Sequence, residues 1–250
     1  MLNIVLIVAV LLHIILSEAL GGYSSIRKMK KIAVTESRKI KTYKSTILNG
    51  WGSVAFTIGV VVLTDITPAD LGLKMIDINF KYFNVWVSVG ILAVCFGFML
   101  LLIYQMVAFN ISNEYRKKLQ EQLEKKTWND SVDLLLPKTN REKKWWSIVS
   151  VTAGIGEELY YRGLLLYLVM SIFPNLSIYF ILIAIGIIFG IAHSYQGFSG
   201  ILKTALMGLM FCAVYFVTGS IIPGMLIHFV MDFASNFLFY DQPKAPSVAI

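Results

Sequence analysis

Apolar residues run through this chain in long blocks separated by short charged segments. Residues 45–64 are twenty uncharged positions and residues 82–113 are thirty-two. Residues 163–202 are forty, with His193 their sole ionisable group, and residues 204–231 are twenty-eight, broken by Thr218-Gly219-Ser220 and by Pro223. Residues 1–17 carry only His13 as an ionisable side chain. A helix that crosses a bilayer needs about 20 mostly apolar residues. With a further helix beginning near Trp145, the pattern predicts an all-α polytopic bundle of seven spans, at 1–22, 45–64, 82–110, 145–170, 176–195, 200–217 and 221–240. The organisation expected is a three-span N-terminal region (1–110), a basic cytoplasmic linker (111–144), a four-span C-terminal core (145–240) and a cytoplasmic tail (241–250).

Composition agrees with the pattern. Of 250 residues, 57% are hydrophobic and 15% charged, whereas a soluble domain carries about a quarter charged residues. A water-soluble enzyme, a disordered chain and a disulfide scaffold are excluded on that ground. Cys95 and Cys212 both lie in apolar runs and read as packing residues. The net charge of +7 does not call for a nucleic-acid partner, because of the 22 Lys and Arg eight lie at 27–44 and nine at 116–144. These short loops follow the positive-inside rule, which puts them in the cytoplasm, the N-terminus outside and the C-terminus inside; a solvated loop and a contact with anionic lipid headgroups both fit. Ser17-Glu18-Ala19 loosely resembles a signal-peptide cleavage site, but no basic segment precedes the apolar run and a dense basic flank follows it. The first span is therefore expected to be retained. Trp145 and Trp146 are expected at the membrane interface.

Within the C-terminal core six ionisable residues fall inside predicted spans: Glu157, Glu158, Arg162, His193, His228 and Asp232. Each costs about 2.5–3.5 kcal/mol near a helix centre on insertion scales, so they survive only by facing one another or a wet cavity. Glu158 and Arg162 are four apart and share a helix face, as do Phe189 and His193, and His228 and Asp232. Glu157 points about 100° away from Glu158. One carboxylate with two imidazoles can activate water, with Glu157 as general base and the histidines positioning water, binding a metal or donating to an oxyanion. The same groups also suit an ion or proton pathway, and spacing does not separate the two. His13 reads as a hydrogen-bonded packing residue. Tyr160, Tyr161, Tyr195, Tyr215 and Tyr240 read as packing and interface.

Glu157-Glu158-Leu-Tyr-Tyr-Arg162, Phe189-Gly-Ile-Ala-His193 and His228-Phe-Val-Met-Asp232, in this order on successive apolar segments, resemble the three motifs of the CAAX-processing and bacteriocin-processing (CPBP) family of intramembrane endopeptidases, which includes the CAAX prenyl proteases. The resemblance covers about residues 140–240. It implies that Glu157 activates water with His193, that His228 and residue 232 stabilise the oxyanion, and that Glu158, Arg162 and Phe189 support the site. Position 232 is Asp where many relatives have Asn. An ionised Asp cannot donate a hydrogen bond, which leaves it protonated, orienting His228, or ligating a metal. Two His with a carboxylate suit catalytic zinc, so the cofactor stays open between Zn²⁺, held by His193, His228, Glu157 and Asp232, and none.

The reading expected is hydrolysis of a peptide bond in a membrane-associated peptide or protein, either a bacteriocin or signalling-peptide precursor or a CAAX-like substrate. Seventeen Lys against five Arg, with abundant Ile, point to a low-GC bacterium and its plasma membrane. The alternatives are a non-catalytic bacteriocin-immunity or scaffold protein and a transporter. Glu157 near mid-membrane and His193 near a span end predict strong tilt or a helix break at 154–156.

Overall fold

The computed structural model describes residues 1–32, 34–124 and 130–238, which form helices joined by loops, with no strand among the described residues. The expected tail at 241–250 lies outside them. Helix α1 spans Leu2–Lys31 and carries a π-helical stretch at Ile14–Leu20; α2 spans Glu36–Leu63 and α3 Val85–Ile111. Two short helices, α4 (Asn113–Glu124) and α5 (Asp130–Leu135), occupy the basic connection. Helix α6 runs over 140–172 as α-helix Asn140–Glu157, π-helix Glu158–Leu165 and α-helix Leu166–Ile172. The fold closes with α7 (Ile178–Ala192), α8 (Gly197–Thr218) and α9 (Ile222–Leu238).

The seven predicted spans thus correspond to α1–α3 and α6–α9. Four helices are long and apolar enough by themselves to cross a membrane: α1, α2, α3 and the segment Ser194–Thr218 that contains α8. Helix α7 has 15 residues, about 22 Å at 1.5 Å per residue, shorter than a hydrocarbon core of about 30 Å. Apolar side chains cover both interior and exterior, as a lipid solvent requires. Leu164, Leu165, Leu168, Ile185 and Cys212 are fully buried, while Phe96, Val62 and Ile111 are exposed. Helices α1 and α2 are built into the same core: Val10, Ile14 and Val54 join the buried cluster of Leu164 and Phe189.

The N-terminal ends of α2 and α6 are tied by a buried ion pair. Thr139 and Glu142 form a capping box at the start of α6, which satisfies backbone donors that a helix end otherwise leaves free. Glu142 also receives Lys39 Nζ at 3.2 Å, and Lys39 donates to the Leu136 carbonyl at 2.6 Å.

No break occurs at 154–156; α6 continues through the glycines. Their role is close approach: a Cβ on Gly154 would lie 2.9 Å from the Met225 carbonyl oxygen and 3.0 Å from Phe229 Cβ. Glycine here lets α9 lie directly on α6. Gly154→Ala is expected to push α9 outward and cost about 1–3 kcal/mol, the usual range for overpacking, read as a lower thermal midpoint in detergent. An unchanged midpoint would show that the two backbones are not in contact.

Candidate active site

The α-helical part of α6 ends at Glu157 and the π-helical part begins at Glu158. A π stretch widens the helix by one residue per turn, and such stretches recur at functional sites. All eight residues from Glu158 to Leu165 are buried, whereas the Glu157 side chain keeps 26% exposure. One glutamate faces the protein and its neighbour faces a cavity.

Glu158 is the inward one. Arg162 Nη1 donates to its Oε1 at 3.0 Å, with both side chains at most 1% exposed. Arg162 Nη2 donates to the Gly208 carbonyl at 3.2 Å, and the guanidinium lies 4.4 Å from the Phe189 ring centre and 5.1 Å from that of Phe211. The cation is held between aromatic faces and a carboxylate, while Arg162 Nε and Glu158 Oε2 are buried without a hydrogen-bond partner among the described residues.

The same carboxylate fixes His228. His228 Nδ1 lies 3.0 Å from Glu158 Oε1, and an ionised carboxylate only accepts, so Nδ1 carries the hydrogen. His228 therefore turns Nε2 towards Glu157 Oε2 at 3.9 Å and Asp232 Oδ2 at 3.7 Å. Glu158, on a neighbouring helix, takes the orienting role that the sequence left open for Asp232. The Asp232 carboxylate faces the other nitrogen, and its backbone carbonyl accepts from Trp146 Nε1 at 3.0 Å. Trp146 is thus turned into the protein and packs edge-on to Tyr43.

His193 follows the last residue of α7. Its Nδ1 lies 2.9 Å from the Phe189 carbonyl oxygen, an acceptor, so this nitrogen also carries a hydrogen and Nε2 presents a lone pair. Nε2 stands 3.7 Å from Glu157 Oε2. His193 meets Glu157 because the 15-residue α7 ends beside it, with α6 unbroken at 154–156.

Glu157, His193, His228 and Asp232 are therefore brought together from three helices. Glu157 Oε2 is buried without a hydrogen-bond partner among the described residues. It faces two imidazole nitrogens at distances too long for direct hydrogen bonds, the spacing at which one small bridging group touches all three. As zinc donors the residue types suit the ion, but bonds of about 2.0–2.1 Å would set the donors roughly 3.3 Å apart. The pairs stand at 3.7–3.9 Å, and among the described residues no three His, Cys, Asp or Glu are placed to hold a metal. The donor set does not close into a metal cage as it stands.

A cavity of about 310 Å³ opens onto Glu157 and His193. Its walls come largely from the N-terminal region, with Ser17, Glu18, Ser45 and Asn49 among the lining residues. Glu18 escaped the sequence reading, which weighed it only as part of a cleavage-like tripeptide. The signal was available, since Glu18 is the sole acidic residue before Glu36 and sits between an apolar run and a basic one. Tyr161 donates its hydroxyl to Glu18, and Tyr160 bonds His13 Nδ1 at 3.1 Å. These two tyrosines pack, as expected, and also fasten α1 to α6.

Residues 141–234 match the family model of type II CAAX prenyl endopeptidases, Rce1-like. No curated protein and no solved structure matches the chain. The matched segment contains all three motifs and ends before the close of α9; the N-terminal walls of the cavity lie outside it.

Proposed function

Starting from an integral membrane protein whose residues 141–234 match the family model of type II CAAX prenyl endopeptidases, we propose that the chain hydrolyses a peptide bond within a membrane-associated peptide or protein. The catalytic core is residues 145–240, and Glu157, His193, His228 and Asp232 carry the reaction. The observation that supports this best is the meeting of Glu157 Oε2 with the Nε2 atoms of His193 and His228, at 3.7 and 3.9 Å, beside a cavity that Glu157 and His193 line.

The steps follow from the proton positions. A water bridging Glu157 and His193 Nε2 loses a proton to the Glu157 carboxylate as its oxygen attacks the scissile carbonyl carbon. In its imidazolium form His228 donates Nδ1–H to Glu158 and keeps Nε2–H for the oxyanion of the tetrahedral intermediate. The intermediate collapses, the C–N bond breaks, and Glu157 returns the proton to the leaving amine. Asp232, a carboxylate beside Nε2, supports the charged imidazole electrostatically and does not itself donate. No step uses a metal.

The cavity is lined by α1 from Ser17 to Ile26 and by α2 from Thr42 to Ser53, next to the basic segments at 27–31 and 38–44. By the positive-inside rule it opens to the cytoplasm, with the N-terminus outside. In a bacterial plasma membrane a bacteriocin or signalling-peptide precursor suits this access. The test is to purify the full chain in detergent, measure bound zinc, and incubate it with synthetic precursor peptides under mass spectrometry. Defined internal cleavage is expected, lost in His193→Ala and insensitive to chelation. Cleavage by His193→Ala would remove the reading, and loss on chelation would replace the metal-free route. Binding without cleavage would favour a scaffold or immunity protein.

A further inference from the structure

The wall of the cavity that faces Glu157 is made by α1 and α2, which the family match does not reach. It carries several polar side chains: Ser25, Thr42, Ser45, Thr46 and Asn49 all line it. Its charges are of one sign. Glu18 and Glu157 are both present, and none of the described lining residues is Lys or Arg. A ligand with a free carboxylate finds no cation to receive it there.

Glu18 lies within the π-helical stretch Ile14–Leu20 of α1 and lines the cavity. One carboxylate oxygen, Oε2, accepts from Tyr161, and Oε1 has no hydrogen-bond partner among the described residues. Ser17 donates to Asn49 Oδ1 at 2.8 Å, which fixes this part of α1 against α2. Tyr161 in turn packs on Phe189 at 5.0 Å between ring centres, and the Phe189 carbonyl holds His193. A carboxylate with one oxygen anchored and one available, on a pre-set frame beside the reacting groups, is built to receive a donor-rich cation.

We propose that Glu18 is a specificity-determining residue that binds a Lys or Arg side chain of the substrate close to the scissile bond, so that the client is a membrane-associated peptide cut at its basic, cytoplasm-facing flank. Membrane segments carry their Lys and Arg on that side, which places such a residue at the mouth of this cavity. The identity of the ligand as a peptide rests on the peptidase reading, and the Glu18 carboxylate is expected to select for charge whether or not a bond is then broken.

Binding is therefore measured apart from cleavage, on full-length Glu157→Gln protein in detergent. The probes are two acetylated, amidated synthetic heptapeptides, alike except for Lys or Gln at the central position among Ala, Leu and Val. The lysine peptide should bind about tenfold to a hundredfold more tightly, the range for a hydrogen bond to a charged group. Adding Glu18→Gln should abolish the difference, and Glu18→Lys should transfer preference to a third peptide with central Glu. Adding Tyr161→Phe, which removes the hydroxyl but keeps the carboxylate, should retain the lysine preference; this separates ligand recognition from a merely structural bond. Equal binding of the two peptides, no binding of either, or a lysine preference that survives Glu18→Gln overturns the proposal. A Glu18-dependent preference in a protein that cleaves no peptide would leave recognition standing and end the peptidase reading alone.

Discussion

Glu157→Gln is expected to reduce peptide hydrolysis about 10²- to 10⁴-fold, the contribution of a positioned general base, while the protein accumulates and melts as the parent does. Glutamine has nearly the same shape and accepts hydrogen bonds, but it takes up no proton from water. Stability should hold because Glu157 Oε2 makes no hydrogen bond within the described protein, so no native bond is lost. The measurements are the initial rate on a cleaved peptide and the thermal midpoint in the same detergent. A variant that retains its rate would move the base elsewhere, and one that fails to accumulate would make Glu157 a structural residue.

The largest effect on stability is expected at Arg162. Arg162→Met keeps most of the side-chain volume but strands Glu158 and drops the donor to the Gly208 carbonyl. Removing one partner of a buried pair costs roughly 3–5 kcal/mol, enough to deplete the protein from membranes. Glu158→Gln placed on top should restore part of the loss, because the buried charge is then gone from both sides and the new amide oxygen can still accept from His228 Nδ1. Recovery read from expression level and thermal midpoint supports the pairing. Strictly additive losses would mean that Arg162 and Glu158 are stabilised independently. The double variant separates two functions of one carboxylate, since Glu158 both neutralises Arg162 and sets the ring of His228.

Much of this was legible along the chain. Runs of apolar residues placed α1–α3 and α6–α9, because a bilayer imposes a minimum apolar length that composition reveals directly. The spacing of Glu158 and Arg162 announced their pair, since residues four apart share a helix face. The boundaries were less legible: α2 begins at Glu36 and α6 at 140, well outside the expected spans, because basic helical turns extend beyond lipid without a break in the backbone. Of the two expectations, tilt or a break near Gly154, the break does not occur, for a related reason. Glycine weakens a helix in isolation but also admits a neighbour at van der Waals distance, and which use prevails depends on whether a partner such as α9 is there.

Read alone, the chain already shows that it spans a membrane, which side chains are too polar to face lipid, and the three motifs by which its C-terminal segment resembles a protease family. Those are consequences of transfer energy and helical periodicity, which are local. It took the packed helices to show that Glu158 rather than Asp232 orients His228, that Trp146 turns inward, and that Glu18 on the first helix shares a cavity with Glu157. Each of these joins residues many positions apart, and their proximity follows from how the helices pack.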